Sequence, residues 1–396
     1  MNKTDYLNPL GNQVKSLPGL VDEQLKRCFD KERLQNLLSV PEIFDIRKIY
    51  ISGAGDSIAA AGAMADVLLN CTGVFHCEVM EPMEFSRFTP AANIGIGEPN
   101  SPLVIAISAG GGTARISEIL DKANALGALS MVLTNKQGSR ATEHAKKTFF
   151  LDTPAMENDF PGLRSYFASM IGLISLACRM GRVKNILPPT APEAFRRAIS
   201  EYVHSFGPVM EKIDTQMFEL AKKWKDFERF NFIGSGAELY SALFSLEKFY
   251  ECTGVVSNYD DAEDWCHIDY YLKTPENIGT VVYADKNAPD FSRTKETICA
   301  ACGIHRPTLV ITNAHEGEFP KEASICRIPE APKGFEWLMP LMDYAPAALL
   351  AGYCCTLAGR KFFNEYDPIA KAYNGGGIFF NKNIMTMSTS KIEVHI

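Results

Sequence analysis

The stretch "FSLEKFYECTGVV" (Phe244 to Val256) sets Lys248 three residues before Glu251, and with Glu238, Ser241 and Ser245 they make a row of polar residues at spacings of three or four. Residues so spaced share one face of a helix. A carboxylate held beside a cation can take and return a proton, the elementary act of acid–base catalysis. The competing reading is a solvated stripe carrying an ordinary ion pair. The other faces of the segment are nearly all apolar, which predicts a helix that is mostly buried.

Two glycine-rich turns offer a second chemistry. "SGAGDS" (Ser52 to Ser57) and "ISAGGGTAR" (Ile107 to Arg115) each stand between an apolar strand-like run and a helix-like one. Backbone N–H groups at such a turn, with the helix dipole behind them, can receive an anion. Glycines at 110, 111 and 112 let the backbone approach a ligand. Ser108 and Thr113 add hydroxyl donors, although Thr113 equally suits a helix cap and a tight turn wants glycine for steric reasons alone. The spacing fits neither Gly-x-x-x-x-Gly-Lys-Ser/Thr nor Gly-x-Gly-x-x-Gly, which disfavours a nucleotide P-loop and a dinucleotide site. Two turns at the ends of adjacent strands, with the hydroxyls of Ser57, Ser108 and Thr113, suggest a phosphate monoester.

The elements that must position these residues are repeated. "IYISGAGDSIAAAGAMADVLLNCTGV" (Ile49 to Val74) sets under "FNFIGSGAELYSALFSLEKFYECTGV" (Phe230 to Val255) without a gap, 181 positions apart. Each copy reads as a strand, a Gly-x-Gly turn, a helix of about four turns and a Thr-Gly-Val exit into another strand, the βαβ unit of a parallel sheet. "PLVIAIS", "ALSMVLTN" and "KTFFLD" read as further strands in the first half. "IGTVVYA", "RPTLVIT" and "ASICRIP" do so in the second. The pattern predicts an α/β protein of two sandwiches, each a mainly parallel sheet between helices. The expected organisation is an N-terminal helical segment (1–48), a first sandwich (49–182), connecting helices (183–228), a second sandwich (229–360) and a C-terminal tail (361–396).

These motifs resemble the sugar isomerase (SIS) domain, whose phosphosugar loop usually reads Ser-x-Ser-Gly-x-Thr. The chain keeps Ser108, Gly111 and Thr113 but has Gly110 for the second serine. The repeat makes it similar to the double-SIS family, which includes the isomerase part of glucosamine-6-phosphate synthase and the fructosamine-6-phosphate deglycases. The fold implied is two tandem three-layer SIS sandwiches. Ser57, Ser108, Gly110, Gly111 and Thr113 are implied to hold a sugar phosphate, with Gly55 in the neighbouring turn. Lys248 falls on the family's active-site lysine, Glu251 on the glutamate that moves a proton between C1 and C2, and His267 on the histidine that opens the sugar ring. His267 is followed by Ile268-Asp269 where the family continues Gly-Pro. Glu157 aligns with a sugar-contacting glutamate, and Lys371 resembles a C-terminal lysine inserted over the sugar. The resemblance implies no cofactor and no metal, and a dimer at least, because the histidine can reach the site from the neighbouring subunit.

Composition narrows the classes. The 396 residues carry 47 acidic and 40 basic side chains, a net charge of −7 without a basic block, so no nucleic-acid footprint is expected. No apolar run approaches the length of a membrane span and the N-terminus lacks a secretory pattern, so the expected compartment is the cytoplasm. Eleven cysteines at irregular spacing read as reduced thiols. Cys299 and Cys302 have ligand spacing but no second pair, and Cys354-Cys355 fall in an apolar helix-like run. The sequence begins at the isomerase-like unit with no N-terminal cysteine nucleophile, so the expected reaction is phosphosugar isomerisation, deamination or deglycation rather than the synthase reaction. The alternative is a non-catalytic phosphosugar-binding regulator, which would ordinarily carry a DNA-binding module; residues 1–48 offer none.

Overall fold

A computed structural model describes residues 2–95, 101–157, 160–362 and 390–396. Its backbone forms two compact units. Among described residues, one comprises 19–95, 101–155, 164–197 and 390–396; the other comprises 2–18, 156–157, 160–163 and 198–362.

The first unit is built on β1 (Lys48–Gly53), β2 (His76–Met80), β3 (Leu103–Ile107), β4 (Leu129–Thr134) and β5 (Lys147–Phe150), all parallel in the order β2-β1-β3-β4-β5. Every residue of β3 and β4 is buried, as expected for strands covered on both faces. The helices Asp56–Ala63 and Ala65–Thr72 pack against the long helix Arg164–Val183. On the other side Ala114–Ala125 buries Ile116, Ile119, Leu120 and Ala123 in a core with Tyr50, Val104 and Val132.

The second unit repeats the plan with β6 (Arg229–Ile233), β7 (Val256–Asp260), β8 (Ile278–Ala284), β9 (Thr308–Thr312) and β10 (Ser324–Arg327), parallel in the order β10-β9-β8-β6-β7. Counted from each unit's first strand, the two orders are the same. Helices Glu238–Thr253 and Ala345–Leu357 pack together, and Phe291–Gly303 contributes Ile298 and Ala301 to a core with Val282 and Val310.

The repeated residues explain themselves here. Gly73 and Gly254 sit at φ 67° and 66°, left-handed caps that glycine adopts without penalty. The preceding Thr72 and Thr253 hydroxyls donate to the carbonyls of Leu68 and Phe249 at 2.7 and 2.6 Å. Cys-Thr-Gly-Val is thus a helix stop used twice. One expectation changes: the first copy's helix is broken, with the Met64 N–H bonding Ala61 one residue too near for an α-helix. "AAAGAMA" carries Gly62, a poor helix former, whereas the second copy has no glycine inside its helix and runs unbroken for 16 residues.

Candidate functional site

In a sheet of order 2-1-3-4-5 the crevice for a ligand lies beyond the carboxyl ends of the strands where the winding reverses. In the first unit that place is between β1 and β3, and both glycine turns fall on it. Gly55 takes φ 57° and opens the helix at Asp56. Gly53 lacks a Cβ of necessity: one would stand 2.6 Å from the Ser57 Cβ, so this glycine lets Ser57 close down on the strand end.

The second turn is held from below. Ser108 Oγ accepts the Gly111 N–H at 3.1 Å, Thr134 Oγ1 and the Asn135 N–H donate to the Ala109 carbonyl at 3.2 and 3.1 Å, and the Ala141 N–H donates to the Gly111 carbonyl at 2.9 Å. Gly111 sits at φ 63°, and a Cβ there would lie 2.0 Å from Ser139 Oγ, so glycine is required twice over. Gly110 is exposed with open space around its Cα, and no steric reason demands glycine there. Thr113 is the N-cap residue by backbone position, yet its side chain makes no capping bond. Its hydroxyl is therefore not spent on the helix.

The polar row of the second unit is buried, not solvated. Ser241, Ser245 and Lys248 are 0–1% exposed. Ser241 Oγ donates to Asp343 Oδ1 at 2.7 Å, and Ser245 shares a hydrogen bond with the Tyr283 hydroxyl. Lys248 Nζ donates to Glu251 Oε2 at 2.5 Å and to the Gly162 carbonyl at 2.8 Å, over the Phe244 ring. The lysine is fully enclosed while the glutamate side chain is 31% exposed, so the carboxylate is the member of the pair that solvent or a ligand reaches.

His267 ends the short helix Asp264–His267 and is not in contact with that pair; its Nε2 shares a hydrogen bond of 2.9 Å with Glu263, which also takes Arg293. Its ring is largely exposed. Glu157 is exposed and falls in the same unit as Lys248, and Lys371 lies outside the described residues. Cys299 is exposed while Cys302 of the same helix is buried, with its thiol pushed up by burial, so the two do not share a surface. Cys354 and Cys355 are helix core, as their apolar run predicts.

A profile of the SIS domain matches residues 42–177. Over that stretch the chain is similar to the SIS domain. Glutamine–fructose-6-phosphate aminotransferase (isomerizing) from Thermotoga maritima is 26% identical over 257 residues, 65% of this chain and 41% of the relative. The chain thus spans about two fifths of the length of that curated relative. The C-terminal domain of glucosamine-fructose-6-phosphate aminotransferase from Francisella tularensis superposes with a TM-score of 0.77 at 15% identity, covering 91% of this chain and 99% of that one. Tagatose-6-phosphate ketose/aldose isomerase from Escherichia coli gives 0.68 at 15% identity, covering 87% and 92%. The matched stretch covers the first unit's sheet with its two turns, and the second sheet, wound identically, makes the fold two SIS-type sandwiches in tandem.

One group in the second unit escaped the sequence reading. Asp269 stands where the family has proline, and it is buried. Its Oδ2 accepts Asn231 Nδ2 at 2.8 Å and also Asn258 Nδ2, while Arg306 donates to Asn231 Oδ1 and to the Asp269 carbonyl and lies over the Trp265 ring. Burial raises the Asp269 carboxyl and lowers the Arg306 guanidinium to about 10. The loop after His267 is therefore anchored by a buried polar network rather than by Gly-Pro. Its partners come from β6, β7 and the approach to β9, which no local pattern in "DDAEDWCHID" could announce.

Proposed function

We propose that this chain is a cofactor-independent enzyme acting on a hexose 6-phosphate or an amino derivative of one, by proton transfer between C1 and C2. The observation that carries the reading is the Lys248–Glu251 pair: a fully enclosed lysine holds the carboxylate of a side chain that is 31% exposed. A carboxylate so fixed takes the proton from the carbon next to the carbonyl or imine and returns it to the neighbouring carbon through an enediol or enamine. The phosphate is held by Ser57, Ser108 and Thr113 with the backbone of the 110–111 turn, at the β1/β3 crevice. His267 opens the ring; its exposure suits a histidine offered to a neighbouring subunit, and the protein acts as a dimer at least. Glu157 and Lys371 contact the sugar. Isomerisation and deglycation both follow from this proton transfer.

The supporting names are those of relatives: an isomerising aminotransferase and a ketose/aldose isomerase. The test is a panel of hexose, hexosamine and fructosamine 6-phosphates assayed for turnover and for exchange of the C1 hydrogen in heavy water. Turnover of at least one member with exchange is expected. Binding without exchange across the panel would overturn the enzymatic reading in favour of a phosphosugar-sensing protein.

A further inference from the structure

The repeat superposes Ser57 of the first unit on Glu238 of the second, 181 positions on. Glu238 opens the helix after β6 behind Gly236, whose φ of 58° matches the 57° of Gly55. Asp285 directly follows β8. Because the second sheet has the same winding, β6 and β8 flank its own switch point, so these two carboxylates stand where the first unit presents hydroxyls. The place in the winding is the same, with carboxyl groups where the first unit has hydroxyls.

A third carboxylate arrives from a separate element. Asp343, just before the helix Ala345–Leu357, is 1% exposed; Oδ1 takes the Ser241 hydroxyl one helical turn beyond Glu238, and Oδ2 has no hydrogen-bond partner. A buried carboxylate oxygen without a donor is costly in a folded protein. The strongest charge effects on Glu238 come from Asp343, Asp285 and Asp290, all acidic, and burial with this repulsion raises its carboxyl well above the ordinary range. Asp285 is raised by burial and further by Glu330. Burial, and then the Asp343 charge, also raise the buried phenols of Tyr283 and Tyr344, and Tyr202 is raised by burial, Asp343 and Asp285 in turn. This is not a compact metal site: among the described residues the group whose ligand atoms lie within 4.8 Å of one another is Asp260, Asp261 and Asp264.

We propose that the switch crevice of the second unit binds a protonated primary amine, held by Glu238, Asp285 and Asp343. An ammonium presents three N–H donors that diverge, which suits carboxylates too widely set for one metal ion, and each bond would be charge-assisted. The tyrosine rings around Asp343 suit an organic cation. The inference stands on the second unit alone and does not depend on the proton-transfer reading.

The test is calorimetric titration of the full chain with methylammonium chloride at constant ionic strength, in two buffers of different ionisation enthalpy near neutral pH. The expected result is saturable binding with net proton release, since the Asp343 carboxyl, raised by burial to about 8, must ionise to take the cation. Asp343→Asn should weaken the binding at least tenfold, and Glu238→Gln, less deeply buried than Asp343, serves should the first variant fold poorly. Tetramethylammonium, which has no N–H, should not bind. Glucosamine and Nα-acetyl-lysine then separate the sources, the tighter ligand assigning the amine to an amino sugar or to an amino-acid side chain. Absence of saturable methylammonium binding, equal binding of tetramethylammonium or of sodium, or undiminished affinity in both variants overturns the proposal.

Discussion

Lys248 Nζ lies 2.5 Å from Glu251 Oε2 with none of its side chain exposed, so the cation faces inward and orients a carboxylate that faces outward. Removing the carboxylate's charge while keeping its shape tests whether it moves a proton. Glu251→Gln is expected to lower C1 hydrogen exchange by about 10²–10⁴-fold, the usual contribution of a positioned base, with phosphosugar affinity little changed. Exchange persisting at the wild-type rate would show that another group is the base.

The phosphate turn makes a graded prediction. Thr113 Oγ1 is not consumed by its helix cap, so Thr113→Val should weaken phosphosugar binding by about 1–3 kcal/mol with little effect on folding. Gly110→Ser, at an open position, should tighten it by about 0.5–1.5 kcal/mol by adding the missing hydroxyl. Titration calorimetry with a hexose 6-phosphate reads both, and an unchanged affinity in each would place the phosphate elsewhere.

Gly111 is a different case. Alanine there would combine a positive φ with a Cβ 2.0 Å from Ser139 Oγ, and the backbone strain alone costs about 1–3 kcal/mol. Gly111→Ala should therefore lower the urea midpoint as well as the affinity, whereas Gly110→Ala should leave the midpoint nearly unchanged.

Asp269 makes a prediction about the loop of His267. Asp269→Ala removes the acceptor of the buried Asn231 amide and of the half-buried Asn258 amide, at about 1–3 kcal/mol for an unsatisfied buried group. The protein should unfold at lower denaturant as the loop of His267 loosens. A variant with native stability would show that the network is not what anchors this loop.

Stability should also depend on pH through Asp343, whose carboxyl burial raises from 3.8 to about 8. Between those values the folded chain binds a proton that the unfolded chain has released, so this group's contribution is largest at low pH and declines as pH rises toward about 8. Asp343→Asn should flatten that part of the stability curve in denaturation series from pH 5 to 8, relative to wild type. An identical slope in the variant would mean that Asp343 is ionised throughout.

The central strands were legible because they are short β-branched or aliphatic runs, and "IGTVVYA" is β8 to the residue. The polar row on the helix Glu238–Thr253 was legible as a row, and its burial followed from the apolar faces around it. The break at Met64 was less so, since Gly62 lowers helix propensity without dictating where a helix ends. The network around Asp269 and the carboxylates of Asp285 and Asp343 could not be read, because each has a partner far off in sequence: Asn231 for Asp269, Asn313 for Asp285 and Ser241 for Asp343, 38, 28 and 102 residues away.

Sequence alone determined that the chain is a duplicated βαβ unit, that glycine turns close the first strand of each copy, and that one helix carries a lysine and a glutamate at helical spacing. Periodicity and turn chemistry are local properties, set by backbone sterics. Tertiary structure decided that the lysine is enclosed and the glutamate open, that Thr113 is spared from capping, and that the second crevice is lined with carboxylates. Those outcomes depend on which distant elements pack together, and therefore on burial and charge, which no spacing along the chain specifies.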